Sequence, residues 1–575
     1  MSNSLMHIPI VEYKDWILAN EPNHSELIRQ KEDIKRQNEF SLISIVIPVY
    51  NPPLNILRDT IDSVINQTYC VWELCVSNAS PENKRLSKLL IHYAQRDKRI
   101  RIITLKTNNG IASNTNLAIG ATSGDYIAFL DHDDLLAPFA LYEVWKIILG
   151  CPQVDVIYSD EDRISADALT RYDPCFRPEF SPDILRNNNY MPHFLVVKRD
   201  LGERVGWFHI GYEGAQDHDF ILRITELAQK IVHIPKVLYH WRAIVSSAAL
   251  SNEAKPYSHL AGHRAISDHL WRIRRYGKVE NGHGPNYHKV SYCLYPFQKV
   301  SVLIAHYGHS YTNLKFCINS IQEKTEYPNY EIIILDFDSQ SSNLREAQFD
   351  NSVVPVRIIL TKGSPSLSYY SVLNKLAYKA TGDLLLFIDE NSQIFDENWL
   401  SKLVEHAIWS ENGVIGGMIL CSEYDLIYQA GYIVGGENGV IKSYNKFPSD
   451  RSGYFGILKY TRNVSALPIT CLMVSKQLFD KLNGFNEAYT QFFGDVDFCL
   501  RAMELGKLNV WTPYSKIRFN EEAGTQGQTR ESKSEISSDL DLFVKMQSQL
   551  LRKGDPFYNP NLSLKSANYE IKSST

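Results

Sequence analysis

Two aspartates stand directly after an apolar segment in the first half of the chain. Asp131 and Asp133 follow Ile127–Leu130 and are two residues apart, so both carboxylates can face one site. Without a cation their mutual repulsion would raise one pKa, and hard oxygen ligands in this number suit Mg²⁺ or Mn²⁺. The functional interpretation is a divalent ion that neutralises a departing nucleotide diphosphate. The alternative is a solvated acidic turn after a buried strand.

A second acidic block, from Glu213 to Asp219, precedes a predicted amphipathic helix. An acid at a helix start is commonly a cap, stabilised by the backbone N–H groups and the helix dipole, and this explanation fits Asp219 better than Asp217. The alternative is that Asp217 is a general base, which removes the proton of an attacking hydroxyl. One metal-holding pair and one separate carboxylate are the parts that a single displacement at a sugar carbon needs.

The chain contains a long internal repeat. Residues 44–51 (SIVIPVYN) are echoed by residues 301–308 (SVLIAHYG), and residues 124–131 (GDYIAFLD) by residues 382–389 (GDLLLFID), at an offset of about 258 residues. A repeat this long indicates duplication of a whole domain, because solenoid periods run to only about 20–50 residues.

The repeat extends the search for functional residues to the second half of the chain. Asn116 and Asn374 occupy matching places ahead of the repeated strands. Asp389 and Asn391 stand where the first half has its acidic pair, and Asp495 stands where it has its candidate base. Each half therefore has its own candidate metal residues and its own candidate catalytic carboxylate.

Each copy alternates predicted strands with predicted helices. Ile43–Val49 is a near-continuous apolar run, as expected of a strand that is buried on both faces. Strand–helix–strand order predicts an α/β fold with parallel pairing and right-handed crossovers, here two tandem Rossmann-like domains. Ligands of such sheets bind at the carboxyl ends of the strands, which is where the acidic residues fall.

The domain boundaries follow from changes in composition. We predict a helical leader over residues 1–40, the first copy over 41–280, a linker over 281–298, the second copy over 299–528, and a C-terminal helix and tail over 529–575. The linker is inferred from Asn281–Pro285, a run of turn-forming residues.

Composition narrows the function classes. The 575 residues carry a net charge of −5, which argues against a generally basic nucleic-acid-binding protein. Nine cysteines without paired spacing indicate reduced thiols rather than disulfides or zinc. We see neither a secretory signal nor an apolar run of the ~18 residues that span a bilayer. The expectation is a soluble, cytoplasmic protein.

With these residues in hand, the chain resembles the family-2 nucleotide-sugar glycosyltransferases. More narrowly, it resembles the bacterial tandem-domain type associated with rhamnan, O-antigen and capsule assembly. In the first copy the resemblance rests on PVYN (48–51), NGI (109–111), LDHDD (130–134), YSDED (158–162), EGAQD (213–217) and YHWR (239–242). In the second copy and the tail it rests on YPNYE (327–331), GFNE (484–487), DVDFCLR (495–501) and YNPN (558–561).

The resemblance implies a GT-A fold and Mn²⁺- or Mg²⁺-dependent, inverting transfer from a nucleotide-diphosphate sugar. It implies that Asp131 and Asp133 lie near the metal and that Asp217 is the base. The acceptor would be an oligosaccharide or a lipid-linked glycan of a growing surface polysaccharide. Candidate donor-binding residues are Pro48, Tyr50, Asn78, Asn116, Asp131, His240 and Arg242 in the first copy, and Tyr307, Asp336 and Asn374 in the second. For His240 and Arg242 the alternative is a packed strand end.

Both copies depart from the family pattern. In the first copy Asn78 stands where the family usually has a carboxylate that contacts the nucleotide base. The second copy keeps a carboxylate there, Asp336, but has the neutral Asn391 at its metal cluster, where Glu390 could compensate. We therefore expect the first copy to transfer sugar. The second is either another transferase, with Asp495 as base, or a degenerate copy kept for acceptor binding.

Two other classes of protein share some of these features. A nucleotidyltransferase would need a glycine-rich, basic first loop, and residues 50–53 (YNPP) do not provide one. A glycan-binding scaffold of inactive transferase domains remains the alternative. The basic, aromatic stretch Trp271–Lys278 either meets anionic lipid on the inner face of the cell membrane or is a solvated helix face.

Overall fold

The computed structural model describes residues 10–243, 256–306, 310–336, 354–360, 368–422, 424–521, 532–566 and 568–573. The chain divides into two compact units. The first consists chiefly of His7–Phe180 and Leu185–Val290, and the second chiefly of Ser291–Glu570 with Ser181–Ile184. The first copy of the repeat lies mainly in the first unit, and the second copy lies in the second unit.

Helices and strands alternate through most of the described residues and are numbered in chain order. The helices are α1 (Ile10–Asn20), α2 (His24–Lys35), α3 (Leu54–Ile65), α4 (Lys84–Arg96), α5 (Ile111–Ile119), α6 (Ala140–Gly150), α7 (Pro182–Leu185), α8 (Arg199–Val205), α9 (Gln216–Leu227), α10 (Pro256–Arg272), α11 (Tyr311–Lys324), α12 (Tyr369–Tyr378), α13 (Trp399–Ala407), α14 (Lys476–Lys481), α15 (Gly494–Glu504), α16 (Ser532–Met546) and α17 (Ser548–Lys553). The strands as far as residue 292 are β1 (Ile43–Val49), β2 (Trp72–Asn78), β3 (Ile100–Thr104), β4 (Tyr126–Phe129), β5 (Leu135–Leu136), β6 (Val156–Ser165), β7 (Arg171–Cys175), β8 (Val196–Lys198), β9 (Ile231–Ala243), β10 (Gly277–Asn281) and β11 (His288–Tyr292). The later strands are β12 (Val300–His306), β13 (Tyr330–Asp336), β14 (Val356–Leu360), β15 (Leu384–Ile388), β16 (Ser392–Ile394), β17 (Asn412–Cys421), β18 (Ile427–Gln429), β19 (Tyr432–Val434), β20 (Val440–Lys442), β21 (Arg462–Asn463), β22 (Cys471–Ser475) and β23 (Leu508–Phe519).

The sheet of the first unit has the order β3-β2-β1-β4-β8-β6-β9-β5, with β7 added to β6. Strands β1 to β4 pair in parallel, as strand–helix alternation predicts. Strand β8 is antiparallel to both of its neighbours, β4 and β6. The carboxyl ends of β1, β4 and β6 and the start of β8 therefore meet at one edge.

The sheet of the second unit repeats this arrangement. Its order is β14-β13-β12-β15-β22-β17-β23-β16, which matches the first sheet strand for strand. The register matches too, because Ile43 pairs with Tyr126 in the first sheet and Val300 pairs with Leu384 in the second. The α/β class and the duplication predicted from the sequence are confirmed.

A buried brace explains why both copies contain a glycine just before a central strand. In the first copy the hydroxyl of Ser44 donates to Glu73 at 2.6 Å and accepts the N–H of Gly124 at 2.9 Å. A Cβ on Gly124 would lie only 2.5 Å from the carbonyl oxygen of Leu42, so only glycine fits this approach. Ser301, Glu331 and Gly382 form the same brace in the second copy.

The segments outside the two sheets also pack onto them. Tyr13 and Trp16 of α1 are buried in the first unit, and the ring of Trp16 lies 5.1 Å from that of Phe176. In the second unit Phe543 of α16 is buried and stacks on Phe493. Strands β10 and β11 form a small separate sheet where the sequence suggested a linker. Among the described helices, none combines the length and the apolar character needed to cross a membrane.

Candidate functional site

The acidic residues after β4 form a turn that is held in place by hydrogen bonds from residues of β9. Asp134 is buried, and its Oδ2 accepts the hydroxyl of Tyr239 at 2.5 Å while its Oδ1 accepts the N–H of Arg242 at 2.7 Å. The guanidinium of Arg242 is also fully buried and donates to the carbonyl of Asp133 at 2.8 Å and to Asp59 at 3.1 Å. This placement supports the packed-strand alternative for Arg242 rather than direct contact with a donor.

A histidine that the sequence analysis did not single out lies beside this turn. The Nδ1–H of His193 donates to Oε2 of Glu161 at 2.7 Å, and the other oxygen of Glu161 pairs with Arg177. The His193 ring stacks on Tyr239 with centroids 4.4 Å apart and planes 8° from parallel. Burial disfavours the charged ring, but Glu161 and Asp134 outweigh it and raise the pKa of His193 to about 9. The surrounding carboxylates thus favour a positive charge on or beside the His193 ring.

Asp131, Asp134 and His193 form the metal-capable group among the described residues. One possible ligand atom from each lies within 4.8 Å of the others. Burial raises the pKa of Asp131, His193 opposes that rise, and the charges of Asp133 and Asp217 add to it. Carboxylates crowded in this way are relieved by a cation, so the residues fit a divalent ion. Asp133, the predicted partner of Asp131, is outside this group but close enough for its charge to act on Asp131.

The predicted base lies in the same pocket as Asp131. Asp217 is in the first turn of α9 and half-buried; its Oδ1 accepts the N–H of His218 at 2.9 Å, and its Oδ2 accepts the side-chain amide of Asn189 at 3.0 Å. The positive end of the helix dipole stabilises the carboxylate there. The pocket is lined by Val46, Pro48, Ile111, Thr115, Phe129, Leu130, Asp131, Pro192, His193, Phe208, Gln216, Asp217 and Tyr239. The structure therefore brings together in one pocket two of the three carboxylates that the sequence singled out in the first copy, Asp131 and Asp217.

The other predicted donor residues of the first copy differ in their surroundings. Pro48 lines the pocket, and Tyr50 is exposed just beyond β1. Asn78 is buried, and its oxygen accepts the N–H of Ser80 at 3.0 Å. The side-chain amide of Asn116 both donates to and accepts from the backbone of Phe208, at 2.8 and 3.1 Å. Asn116 therefore fixes a loop of the pocket.

His240 belongs to a buried network rather than to the metal-capable group. Its Nδ1 lies 2.6 Å from Oδ1 of Asp162. The other oxygen of Asp162 accepts the hydroxyl of Tyr13 and the Nε–H of Arg171, both at 2.6 Å. Tyr13 comes from α1, so this network joins the leader to β6 and β9.

The second copy closes its acidic turn with internal hydrogen bonds. Oδ1 of Asp389 accepts the backbone N–H and the side-chain amide of Asn391, at 2.8 and 3.0 Å. The oxygen of Asn391 in turn accepts the amide of Asn313 at 2.9 Å. Glu390 pairs with His306. At this turn an amide stands where the first copy has the carboxylate of Asp133.

The strand registers of the two sheets can be matched position by position, and they show further differences between the copies around that turn. Tyr239 pairs with Glu161 in the first sheet, and the corresponding pair in the second sheet is Ile517 with Ile419. Counting back from the matched strands β8 and β22, Thr470 stands at the position of His193. The second copy therefore lacks a counterpart of His193, which belongs to the metal-capable group, and of Glu161 and Tyr239, which contact His193.

Asp495, the second predicted base, is covered. It is buried, and backbone N–H groups of Val496 and Ile469 reach its two oxygens at 2.9 Å each. Tyr370 lies over the start of α15, its hydroxyl 3.4 Å from Asp495 and its ring where a Cβ on Gly494 would be. Burial raises the pKa of Asp495. The base position of the second copy is thus closed by an aromatic ring.

The remaining predicted residues of the second copy are Asn374, Asp336 and Tyr307. Asn374 repeats the role of Asn116, because its amide donates to and accepts from the backbone of Phe485 at 2.9 and 2.8 Å. Asp336 is buried at the end of β13. Tyr307 lies outside the described residues.

Sequence comparison shows which family of proteins both copies are similar to. The model of the family "Glycosyl transferase family 2" matches residues 44–196 and 301–482, one match in each copy. The O-antigen biosynthesis protein RfbC of Myxococcus xanthus is 31% identical over 557 residues, which are 96% of this chain and 43% of that protein. An uncharacterised protein of Sinorhizobium fredii is 34% identical over 555 residues, 95% of this chain and 60% of that protein. The chain thus spans about half the length of these relatives.

More distant similarities cover smaller parts of the chain. The hyaluronan synthase of Pasteurella multocida is 30% identical over 203 residues, 35% of this chain and 20% of that protein. The crystal structure of S. aureus TarS in complex with UDP-GlcNAc has 18% identity, covers 40% of this chain and 66% of that one, and gives a TM-score of 0.33. A structural likeness of that size carries no argument about function.

Proposed function

Because the chain belongs to glycosyl transferase family 2, as its motifs predicted, we propose that its first copy is an inverting transferase with a GT-A fold. The copy would move a sugar from a nucleotide-diphosphate donor to a hydroxyl of a growing, lipid-linked surface polysaccharide. The observation that supports this most directly is that Asp131 and Asp217 line one pocket. The similarity to an O-antigen biosynthesis protein supports the class of acceptor.

Asp217 is the base in this proposal. It accepts the proton of the acceptor hydroxyl as that oxygen attacks the anomeric carbon, and its two present partners hold the carboxylate at the pocket wall. Within the lining residues we assign no second carboxylate as a nucleophile, so a single displacement with inversion is the mechanism we propose. Pro48 and Tyr50 would contact the nucleotide.

Asp131, with Asp133 or Asp134 and His193 beside it, would hold Mn²⁺ or Mg²⁺. When bound, the ion neutralises the charge that builds up on the departing diphosphate. The pocket walls have a separate role: the rings of Phe129, Phe208 and Tyr239 limit the access of water to the donor.

We propose that the second copy is degenerate and serves acceptor binding rather than transfer. Three differences support this proposal. Asn391 donates to Asp389, Thr470 and Ile419 stand at the positions of His193 and Glu161, and Tyr370 covers Asp495. The alternative, a scaffold in which neither copy transfers sugar, predicts that both copies lack turnover.

The test is the release of nucleotide diphosphate from a panel of donor sugars, with Mn²⁺ and candidate acceptor glycans present. We expect one donor to give acceptor-dependent release that EDTA abolishes. Donor binding seen by thermal shift, without release for any acceptor in the panel, would instead favour the scaffold. Release that continues in EDTA would contradict the metal dependence.

We also propose a cytoplasmic location with peripheral contact to the membrane. Trp271 and Tyr276 are 76% and 67% exposed, which supports a surface role for this stretch. Arg272 pairs with Glu226 at 2.8 Å, and Arg275 is buried, so part of its positive charge serves the fold. We therefore expect the lipid contact to depend more on exposed aromatic rings, and less on arginines, than the sequence suggested.

A further inference from the structure

We propose that His193 is a metal ligand of the first copy, oriented by Glu161, and that it makes the site prefer Mn²⁺ to Mg²⁺. This inference rests on the proposed function, because it concerns the ion that the proposed reaction uses. It goes beyond the acidic pair predicted from the sequence, because it adds a nitrogen ligand from a different strand.

The hydrogen bond at Nδ1 leaves the other ring nitrogen of His193, Nε2, available as a metal ligand. Nδ1 of His193 is engaged with Glu161 at 2.7 Å, and among the described residues its Nε2 has no hydrogen-bond partner. Stacking on Tyr239 prevents the ring from rotating. Histidines that bind metals usually donate their second ring N–H to a carboxylate in this manner, which fixes the tautomer.

Glu161 is itself held in place for this task. Arg177 pairs with the oxygen of Glu161 that His193 does not use, and all three side chains are largely buried. An ionised carboxylate behind the ring increases the basicity of the opposite nitrogen. Glu161 and Arg177 are therefore positioning residues, and neither needs to touch the ion.

The neighbouring carboxylates are not equally available. Both oxygens of Asp134 already accept hydrogen bonds, from Tyr239 and from the backbone of Arg242. This leaves Asp131 and His193 as the stronger candidates within the group. One oxygen and one nitrogen ligand suit transition-metal ions better than Mg²⁺, which prefers oxygen ligands and water.

The second copy offers an internal comparison. It has Ile419 in place of Glu161, Ile517 in place of Tyr239 and Thr470 in place of His193. None of these side chains can ligate as an imidazole does or orient one. Among the described residues, we therefore place this metal site in the first copy.

The experiment measures Mn²⁺ and Mg²⁺ binding to the full chain without donor, by isothermal titration calorimetry. Pulsed electron paramagnetic resonance of bound Mn²⁺ then detects a directly coordinated nitrogen. His193→Asn keeps an N–H near the position of Nδ1 but removes Nε2, and Glu161→Gln keeps the shape of the positioning residue without its charge. His92→Ala is the matched control, because His92 is exposed on α4.

We expect one Mn²⁺ per chain, with nitrogen coupling in the wild type. Glu161→Gln should lower the Mn²⁺ affinity about 10- to 100-fold, and His193→Asn should lower it at least as much and abolish the coupling. Mg²⁺ affinity should change much less, and His92→Ala should change neither. Thermal unfolding confirms that each variant is folded.

Two results would overturn the inference in different ways. Equal Mn²⁺ affinity in wild type and His193→Asn, or bound Mn²⁺ without nitrogen coupling, would remove His193 from the site and leave the proposed transferase intact. A wild-type chain that binds no Mn²⁺, even with a nucleoside diphosphate present, would overturn the metal dependence of the proposed function as well.

Discussion

Replacing Asp217 by Asn removes a negative charge from the pocket and preserves the shape of the side chain. The amide oxygen can keep the N–H of His218, which is 2.9 Å from Oδ1 in the wild type. The new N–H group can donate to Oδ1 of Asn189, which has no partner among the described residues, once that amide turns over. We therefore expect the free energy of unfolding to change by about 1 kcal/mol or less.

The expected loss of turnover is much larger than this change in stability. A positioned general base contributes about 10²- to 10⁴-fold to the rate, equivalent to about 3–5 kcal/mol of activation free energy. Asp217 also raises the pKa of Asp131 through its charge. Replacing Asp217 by Asn removes that charge and therefore favours the ionised form of Asp131. We expect kcat to fall while the KM for the donor stays nearly constant.

Asp495→Asn is the matched variant in the second copy. An amide there must turn an N–H toward the backbone N–H of either Val496 or Ile469, which costs about 1–3 kcal/mol of stability. Turnover, measured as diphosphate release well below the midpoint of thermal unfolding, should stay within about twofold of wild type. If Asp217→Asn kept more than about a tenth of wild-type turnover, Asp217 would not be the base. Loss of all turnover in Asp495→Asn alone would move the chemistry to the second copy.

Three further predictions concern the buried brace of the second copy, the loop held by Asn116 and the exposed aromatic stretch. Burial opposes ionisation of Glu331, but hydrogen bonds from Ser301 and Thr381 lower its pKa from 4.5 to about 2. We expect Glu331→Gln to cost about 1–2 kcal/mol at pH 7, a difference that disappears as the pH falls from about 4.5 to about 2, and that unfolding curves at several pH values would measure. Asn116→Ala removes two hydrogen bonds to the Phe208 loop and should lower stability by about 1–3 kcal/mol and reduce kcat more than donor affinity; a rise in donor KM alone would indicate direct donor binding. Trp271→Ala should reduce co-sedimentation with anionic vesicles several-fold at low salt, and equal pelleting of wild type and variant would count against this contact.

The strands and the duplication could be predicted because they depend on local patterns. Ile43–Val49 is apolar on both faces, and its burial in the sheet agrees with that pattern. The same run recurs at Val300–His306, so two matching sheets followed. The place of Asp131 at the ligand-binding edge followed from a general property of parallel sheets, whose carboxyl ends share one edge. Asp217 lies in α9 instead, so its place in the same pocket was expected from the chemistry and the family resemblance rather than from the sheet.

The metal-capable group was only partly predictable. The spacing of Asp131 and Asp133 predicts two carboxylates that face one side, which holds for a strand. Residues 131–134 form a turn instead, and the turn brings Asp134 to Asp131. His193 carries no local pattern, since it stands alone before β8 and meets Glu161 only because β8 and β6 are neighbours in the sheet.

The duplication itself separates structural residues from chemical ones. Residues that both copies share tend to hold the fold: Asn116 and Asn374 clamp equivalent loops, and Asp219 and Asp497 pair with arginines one helical turn later. These identities say little about catalysis, because a catalytically inactive copy needs the same clamps in order to fold.

The differences between the copies carry more information about chemistry. Three of these differences lie at the edge of the sheet that holds the candidate site, where the first copy has Asp133, Glu161 and His193 and the second has an amide, an isoleucine and a threonine. The loss of all three side chains together is what we expect if selection for metal binding acts on the first copy and has been relaxed in the second.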